Sequence, residues 1–223
     1  MPLAVVVAAA VIAGSVGLAA LTRGLVIAVR SASQATALDT RPARVVFNDD
    51  FSTDRGWVTG TFEGLHVTLG TSTLTLDERR AGETYYNSVP IVGSFPGMRI
   101  MMDVTKNTAT GAAGVACQDS TVGGYAFWVT STRVLLERYV PTATTSTLLP
   151  GGSLSRRWAA GQRIVLTAIC RSSADRVDLE LLIDNQALLH ATDRTYPGRT
   201  TPKVEIQGVM SMDVHRFTVS ALS

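Results

Sequence analysis

Carboxylate pairs are the first residues to consider for chemistry, because glycoside hydrolysis needs two of them flanking the bond that breaks. A pair of this kind occurs at Asp178 and Glu180, whose spacing puts both side chains on one face of a strand. Leu181 and Leu182 follow directly. The alternation with apolar residues predicts that the two carboxylates face solvent, so the pair indicates a solvated surface and not a catalytic site.

Nucleophile and phosphate-binding motifs are incomplete. Ser153 lies between Gly152 and Leu154, but Ser155 stands where a nucleophile elbow requires glycine. The glycines at 111–114 and 123–124 are not followed by the Lys-Ser/Thr pair or the helix that a phosphate-binding loop needs. We therefore predict a non-catalytic protein, with no catalytic residues and no cofactor.

The two cysteines, Cys117 and Cys170, each lie in an apolar, strand-like segment. A metal site needs more ligands, and His66, His190 and His215 are isolated in the sequence. No neighbouring base would activate either thiol. We predict a disulfide, which closes a loop of about 54 residues, stabilises by about 4 kcal/mol and indicates an oxidising compartment. Two buried free thiols are the alternative.

The basic residues give no sign of a nucleic-acid interface. The net charge is only +2, and the arginines are scattered, with Arg79-Arg80 and Arg156-Arg157 as the adjacent pairs. Neither pair has interleaved aromatic residues. We therefore predict no nucleic-acid partner.

The N-terminal segment, residues 1–30, has the character of a membrane anchor. No charged side chain occurs from Pro2 to Leu21, and a run of about 20 apolar residues matches the thickness of a bilayer core. A secretory signal peptide has a basic start and a shorter apolar core. We expect one transmembrane helix, an anchor or an uncleaved signal, with cleavage as the alternative.

Residues 31–44 are rich in small and hydroxylated residues and predict a polar linker. Two features disagree on which side of the membrane the following domain lies. Arg23 and Arg30 follow the apolar run, and the positive-inside rule places such a flank in the cytoplasm. Two arginines are few, and the β-rich domain that follows favours export. We expect a single-pass protein of the cell membrane with an extracytoplasmic domain at 45–223.

That domain consists of short β-type segments separated by turn residues, and no long stretch has a helical period. In two of them, Ile164 to Cys170 and Val177 to Ile183, apolar residues alternate and predict neighbouring strands. Asp184-Asn185 then predicts a tight turn. The other segments are Phe62 to Leu69, Ser72 to Leu76, Met98 to Val104, Tyr125 to Val129, Val134 to Val140, Leu188 to Thr192, Val204 to Gln207 and Phe217 to Val219.

Several motifs resemble those of concanavalin A-like, laminin-G-type jelly-roll domains of bacterial exported proteins. Residues 48–52, Asn-Asp-Asp-Phe-Ser, followed by Gly56-Trp57 resemble the opening strand of that group, and 214–219 would pair beside it. The Gly-Val-Ala-Cys run at 114–117, before the aromatic run at 124–129, is similar to the central strands. The resemblance covers about residues 45–221. It implies an all-β fold, a two-sheet antiparallel jelly-roll sandwich.

The resemblance suggests two kinds of ligand, calcium and a sugar. A structural calcium ion at Asp49 or Asp50 would fit the group, but the sequence supplies no ligand set for it, and the closing strand departs from the group at His215-Arg216. Sugar-binding jelly rolls stack sugars on exposed rings. Trp128 and Tyr86 are the contacts that we predict, because alternation turns each away from its aromatic neighbours; packing in the core or at the rim is the alternative.

We therefore expect a membrane-anchored, extracytoplasmic binding module for a cell-envelope glycan or a protein partner. One alternative is a structural accessory subunit of a membrane protein complex. Another is a glycoside hydrolase whose site the sequence does not reveal. Fold alone does not decide among these functions.

Overall fold

All regular secondary structure in residues 43–119, 122–140 and 147–223, the part of the chain that the computed structural model describes, is β-strand. The fifteen strands are β1 (Ala43–Asp49), β2 (Gly60–Phe62), β3 (Leu65–Leu69), β4 (Leu74–Glu78), β5 (Thr84–Ser88), β6 (Gly97–Lys106), β7 (Ala112–Asp119), β8 (Gly123–Val129), β9 (Arg133–Tyr139), β10 (Thr147–Ser153), β11 (Arg163–Ser172), β12 (Val177–Ile183), β13 (Gln186–Asp193), β14 (Thr201–Gln207) and β15 (Met210–Leu222).

The strands form two antiparallel sheets that pack face to face. The nine-stranded sheet has the order β13-β12-β11-β6-β15-β4-β3-β2, with β1 also paired to β15, and the six-stranded sheet has the order β10-β9-β8-β7-β14-β5. The apolar residues of both inner faces form one large core cluster. This confirms the all-β class and the two antiparallel sheets.

The predicted hairpins of the nine-stranded sheet are confirmed. Strands β11, β12 and β13 are consecutive and antiparallel, and the alternating apolar residues of β11 and β12 lie in the core. Asp184 and Asn185 both have positive φ, at 50° and 65°, and join Ile183 directly to Gln186. Two such residues match the right-handed twist of the flanking strands, which is why short polar side chains occupy this turn.

The opening and closing strands also pair as expected. β1 is antiparallel to β15, with Asp49 opposite Phe217. The Trp57 ring packs edge-on against Phe217, at 5.6 Å between centroids, and lies 5.6 Å from Phe51 and 6.0 Å from Phe47. The aromatic residues of the opening motif therefore close the core beside the first strand.

The predicted disulfide is present. Cys117 of β7 is bonded to Cys170 of β11, with 6.6 Å between their Cα atoms. Both residues are buried in the core. Because β7 and β11 belong to different sheets, the bond joins the two layers of the sandwich through the core.

Some segment predictions differ from the structure. The expected strand at 62–69 is a hairpin of β2 and β3, because Glu63 and Gly64 take positive φ and reverse the chain between Phe62 and Leu65. Strands β5 and β10 were not among the predicted segments. β1 begins at Ala43, so residues 43–44 belong to a strand and not to a linker.

The predicted N-terminal anchor at 1–30, and the linker as far as residue 42, lie outside the described residues. Within the described ranges, no helix has the length and apolar character needed to cross a bilayer.

Candidate functional site

The outer face of the six-stranded sheet brings together side chains from distant parts of the sequence. One cross-strand row runs Tyr86, Glu205, Gly114, Trp128 and Leu135, each directly opposite the next on a neighbouring strand. The two predicted ligand contacts, Tyr86 and Trp128, therefore lie on one face in one row. Three strand spacings separate their backbones, about 14 Å.

A second row lies beside the first on the same face. It contains Ser88, Lys203, Ala116, Ala126 and Glu137 in register. Side chains two residues apart on a strand point the same way, so Lys203 stands next to Glu205 on β14, and Glu137 follows Leu135 on β9. These two rows therefore carry two carboxyl groups, one ammonium group and two large aromatic rings.

Alternation in β8 sends Trp128 to this outer face, as predicted. Tyr125, Phe127 and Val129 fill the core between the sheets, whereas Trp128 packs with alanines of its own sheet and with Leu135. These alanine neighbours are Ala112, Ala116 and Ala126.

The Trp128 ring lies directly over Gly114. A Cβ atom at Gly114 would come within 2.6 Å of the ring, so only glycine fits beneath it. The indole N–H donates a 2.6 Å hydrogen bond to the Glu137 carboxylate. The residue is only 1% exposed, so its clearest role in the structure is to hold Glu137. Contact between Trp128 and a ligand stays a prediction.

Tyr86 is the exposed aromatic ring of the face. It lies on β5, the edge strand of the sheet, and is 55% exposed. The Lys203 ammonium sits 3.7 Å from the ring centroid, a cation–π contact that fixes the ring plane. Burial lowers the pKa of Lys203, and the nearby Glu205 opposes this shift.

Glu205 is an acid held in its neutral form. Burial raises its pKa to about 8, and the negative charge of Glu137 adds to the effect, while Lys203 acts against it. At neutral pH the carboxyl is therefore mostly protonated, and it can donate a hydrogen bond as well as accept one.

A depression of about 470 Å³ adjoins one end of this face, where Ala112 and Gln207 lie. Five of the nine residues that line it have hydroxyl or amide side chains, and the other four are glycine or alanine. The hydroxyl and amide side chains are Thr110, Thr130, Ser131, Thr132 and Gln207.

The carboxylates singled out in the sequence are elsewhere. Asp178 and Glu180 lie on β12, in the nine-stranded sheet. Asp178 accepts a hydrogen bond from Thr192, and Glu180 is only 8% exposed, so the expected solvation does not hold for that residue. On this face Glu180 has two buried apolar neighbours, Ile169 directly opposite on β11 and Leu182 two residues on.

The two carboxylates of the opening motif are hydrogen-bonded to nearby residues of the chain. The Asp49 carboxylate accepts a 2.8 Å hydrogen bond from the Phe51 amide on one oxygen and another from the Trp57 indole on the other. Asp50 accepts hydrogen bonds from the amide and the hydroxyl of Ser52. In the described ranges no three potential metal-ligating side chains of the His, Cys, Asp and Glu types come together.

The pair Glu137 and Glu205 was missed by the sequence analysis. The two residues are 68 positions apart in the sequence (205 minus 137), and only the strand order places them on one face. Alternation was the available signal, because Glu205 lies between the core residues Val204 and Ile206. A charged residue between two core positions of a strand marks the outer face.

Comparisons with known proteins show what the fold is similar to. No protein-family model matches the chain, and no curated protein matches its sequence. Among solved structures, carbohydrate binding module CBM66 from Bacillus subtilis is 15% identical, with a TM-score of 0.52, covering 72% of this chain and 94% of that one.

Two further structures illustrate the range of relatives in fold. The CBM2 module of the evolved Dit protein of Lactobacillus casei BL23 phage J-1 is 12% identical, with a TM-score of 0.51, covering 82% of this chain and 97% of that one. The Bacteroides ovatus mixed linkage glucan GH16 protein, in complex with its product, is 12% identical, with a TM-score of 0.53, covering 78% and 99%. The chain therefore has the concanavalin A-like jelly-roll fold that its motifs predicted.

Proposed function

We propose that this chain is a non-catalytic glycan-binding module of the cell envelope. The observation that carries the proposal is Tyr86, an exposed ring on a sheet face, held in a fixed plane by Lys203 and flanked by Glu205. Sugars present one apolar C–H face and several hydroxyl groups, so a rigid ring beside polar donors and acceptors is complementary to them. The likeness to carbohydrate-binding modules supports the same class of ligand.

A glycan array of cell-envelope glycans, probed with the purified full-length chain, tests this proposal. We expect Tyr86→Ala to weaken binding of any glycan found by about tenfold, which is about 1.4 kcal/mol, since the stacking surface is lost. Val92→Ala is the matched control, because Val92 is fully exposed and does not line the face. Equal binding by both variants would place the glycan elsewhere.

A structural accessory subunit of a membrane protein complex is the alternative function. If the array yields no glycan, while a stoichiometric protein co-purifies in mild detergent, the accessory-subunit function is favoured instead. Loss of that protein on exchange of residues 1–30 for another apolar segment would assign the contact to the N-terminal segment.

We also propose that the module is anchored in the cell membrane by residues 1–30, with its sandwich on the extracytoplasmic side. The disulfide supports this location, because such bonds persist in oxidising compartments. The uncharged run from Pro2 to Leu21 supports the anchor. Protease added to intact cells should degrade the sandwich, and protection of the sandwich would contradict the location.

A glycoside hydrolase is the second candidate, favoured by Glu137 and Glu205. The two residues lie on one face, and glycoside hydrolysis uses two carboxyl groups, one of them with a raised pKa, about 5 to 9.5 Å apart. Release of reducing ends from a bound glycan, abolished in Glu205→Gln, would establish this function. Unchanged glycan after prolonged incubation would favour the binding module.

A further inference from the structure

A groove of about 340 Å³ opens beside Tyr86, where the two sheets end in the edge strands β2 and β5. This volume suits a small-molecule ligand. The lining is mostly apolar, with Val58, Phe62, Leu65 and Val67 on one side, and it contains no Asp, Glu, Lys, Arg or His. Phe62 and Val58 are exposed at the mouth, whereas Leu65 and Val67 are buried at the floor.

Asn87 places a buried polar side chain in the lining of this apolar groove. It is 4% exposed and lines the groove from β5. Its amide Nδ2 donates a 2.8 Å hydrogen bond to the Val58 carbonyl, which fixes the orientation of the amide, since an oxygen at that position could not donate. Its Oδ1 has no hydrogen-bond partner in the part of the chain that the structure describes.

An unsatisfied buried acceptor in an apolar groove is costly, and a ligand that brings a donor offsets the cost. The matching group has one N–H donor next to a small apolar group. An acetamido group has both, because its N–H donates and its methyl group is apolar. A free hydroxyl offers a donor without the methyl, and a charged amine would lose its hydration among apolar side chains.

We propose that this groove binds the acetamido group of an N-acetylated amino sugar, an inference that rests on the proposed glycan-binding function. The N–H of the sugar donates to Asn87 Oδ1, and the acetyl methyl packs against Leu65 and Val67. Tyr86 also borders the groove, and its ring lies on the outer face beside it, in contact with Lys203. The groove thus selects the substituent, while the outer face contacts the rest of the glycan.

The test compares ligands that differ only in the substituent at carbon 2, titrated into the full-length chain and followed by saturation-transfer NMR. The methyl glycoside of N-acetylglucosamine should bind about tenfold more tightly than methyl glucoside, or than the 2-O-acetyl ester, which has the methyl group without the N–H donor. Changing the ligand leaves the fold of the protein untouched.

Two variants locate the site. Asn87→Leu removes the acceptor and should abolish the preference for the acetamido sugar over the ester. Because that change also removes the bond to Val58, Phe62→Ala is the second variant. Phe62 is partly exposed at the mouth of the groove, and its truncation should weaken the acetamido sugar about tenfold. Val92→Ala should bind all three sugars as the unmodified chain does.

The outcomes separate this inference from the proposed function. Glycan binding with equal affinity for the three sugars overturns the acetamido site and leaves the glycan-binding function intact. Absence of any glycan binding overturns both. An extended peptide could instead pair with the outer edge of β5. Chemical-shift changes of the β5 amides that a peptide causes and the three sugars do not would also overturn the acetamido site.

Discussion

Asp49 illustrates, at the scale of single residues, how a motif that suggests a ligand site serves the fold. Its two carboxylate oxygens accept hydrogen bonds from the Phe51 amide and the Trp57 indole. Phe51 has a positive φ of 60°, so the carboxylate also holds a strained turn in place. Asp49 of the opening motif is therefore explained by its hydrogen bonds to Phe51 and Trp57.

We expect Asp49→Ala to lower the free energy of unfolding by about 3 kcal/mol, because it leaves the buried indole N–H without an acceptor. Asp49→Asn should lower it by less, because the amide oxygen can still accept one of the two hydrogen bonds, whereas the amide nitrogen cannot accept the other. Asp50→Ala is the control, because Asp50 is exposed and its hydrogen bonds to Ser52 are at the surface. Equal stability of the Asp49→Ala and Asp50→Ala proteins in urea denaturation would contradict this account.

Glu205 makes stability depend on pH. The pKa of its carboxyl rises from an ordinary value of 4.5 to about 8 on folding, chiefly through burial. Folding therefore favours the protonated form: the contribution is fully present below pH 4.5 and is lost as the pH rises towards 8. We expect Glu205→Gln to match the unmodified protein near pH 4.5 and to be more stable by a few kcal/mol at pH 8.

Thermal unfolding of both proteins across this pH range measures the effect. Glu137→Gln provides the control, since removal of the like charge should move the loss of stability to lower pH without abolishing it. A stability difference between Glu205→Gln and the unmodified protein that stays constant from pH 4.5 to 8 would show that Glu205 does not titrate in this way.

At the scale of elements, the β12–β13 turn depends on two residues that adopt left-handed backbone conformations. Asp184 and Asn185 both have positive φ, and Asp184 also accepts a hydrogen bond from the Val165 amide. Glycine at the second position adopts positive φ without strain, so we expect Asn185→Gly to stabilise by about 0.5 kcal/mol and Asn185→Ala to destabilise by about 1 kcal/mol. Chemical denaturation of the pair measures both, and destabilisation by both changes would contradict the turn geometry.

The elements that the sequence predicts are those with clear alternation or turn chemistry. The β11–β13 hairpins have both, and their faces and their turn were predicted from the residues. β5 has neither, because Thr84 to Ser88 is short and polar with two adjacent tyrosines. Its pairing with β14 is a tertiary contact across more than a hundred residues, and local periodicity cannot report such a contact.

The candidate site was predictable only in part for the same reason. Trp128 and Tyr86 were found as aromatic residues turned away from their neighbours, and alternation alone supports that step. Their common row, the neutral Glu205 beside Lys203, and the Asn87 groove all depend on strand order. Strand order in a sandwich is set by packing between distant strands, which the sequence does not display.

At the scale of the whole molecule, the Cys117–Cys170 bond links the two layers. It closes a loop across a sequence separation of 53 residues, and its main effect is on the unfolded chain, whose freedom it restricts. Both residues are replaced by alanine in the informative variant, which leaves no free thiol. We expect a loss of about 4 kcal/mol in the free energy of unfolding.

Reductant distinguishes the bond from the packing of the side chains. If the bond stabilises the sandwich by restricting the unfolded state, dithiothreitol should lower the stability of the unmodified protein to near that of the double alanine variant and leave the variant unchanged. If the packing of the two sulfur atoms also matters, the cavities that they leave in the alanine variant should make it less stable than the reduced protein. An unmodified protein as stable with reductant as without it, once full reduction is verified by mass spectrometry, would show that the layers are held by the core alone. In that case the bond would indicate the compartment in which the chain folds and would add nothing to its stability.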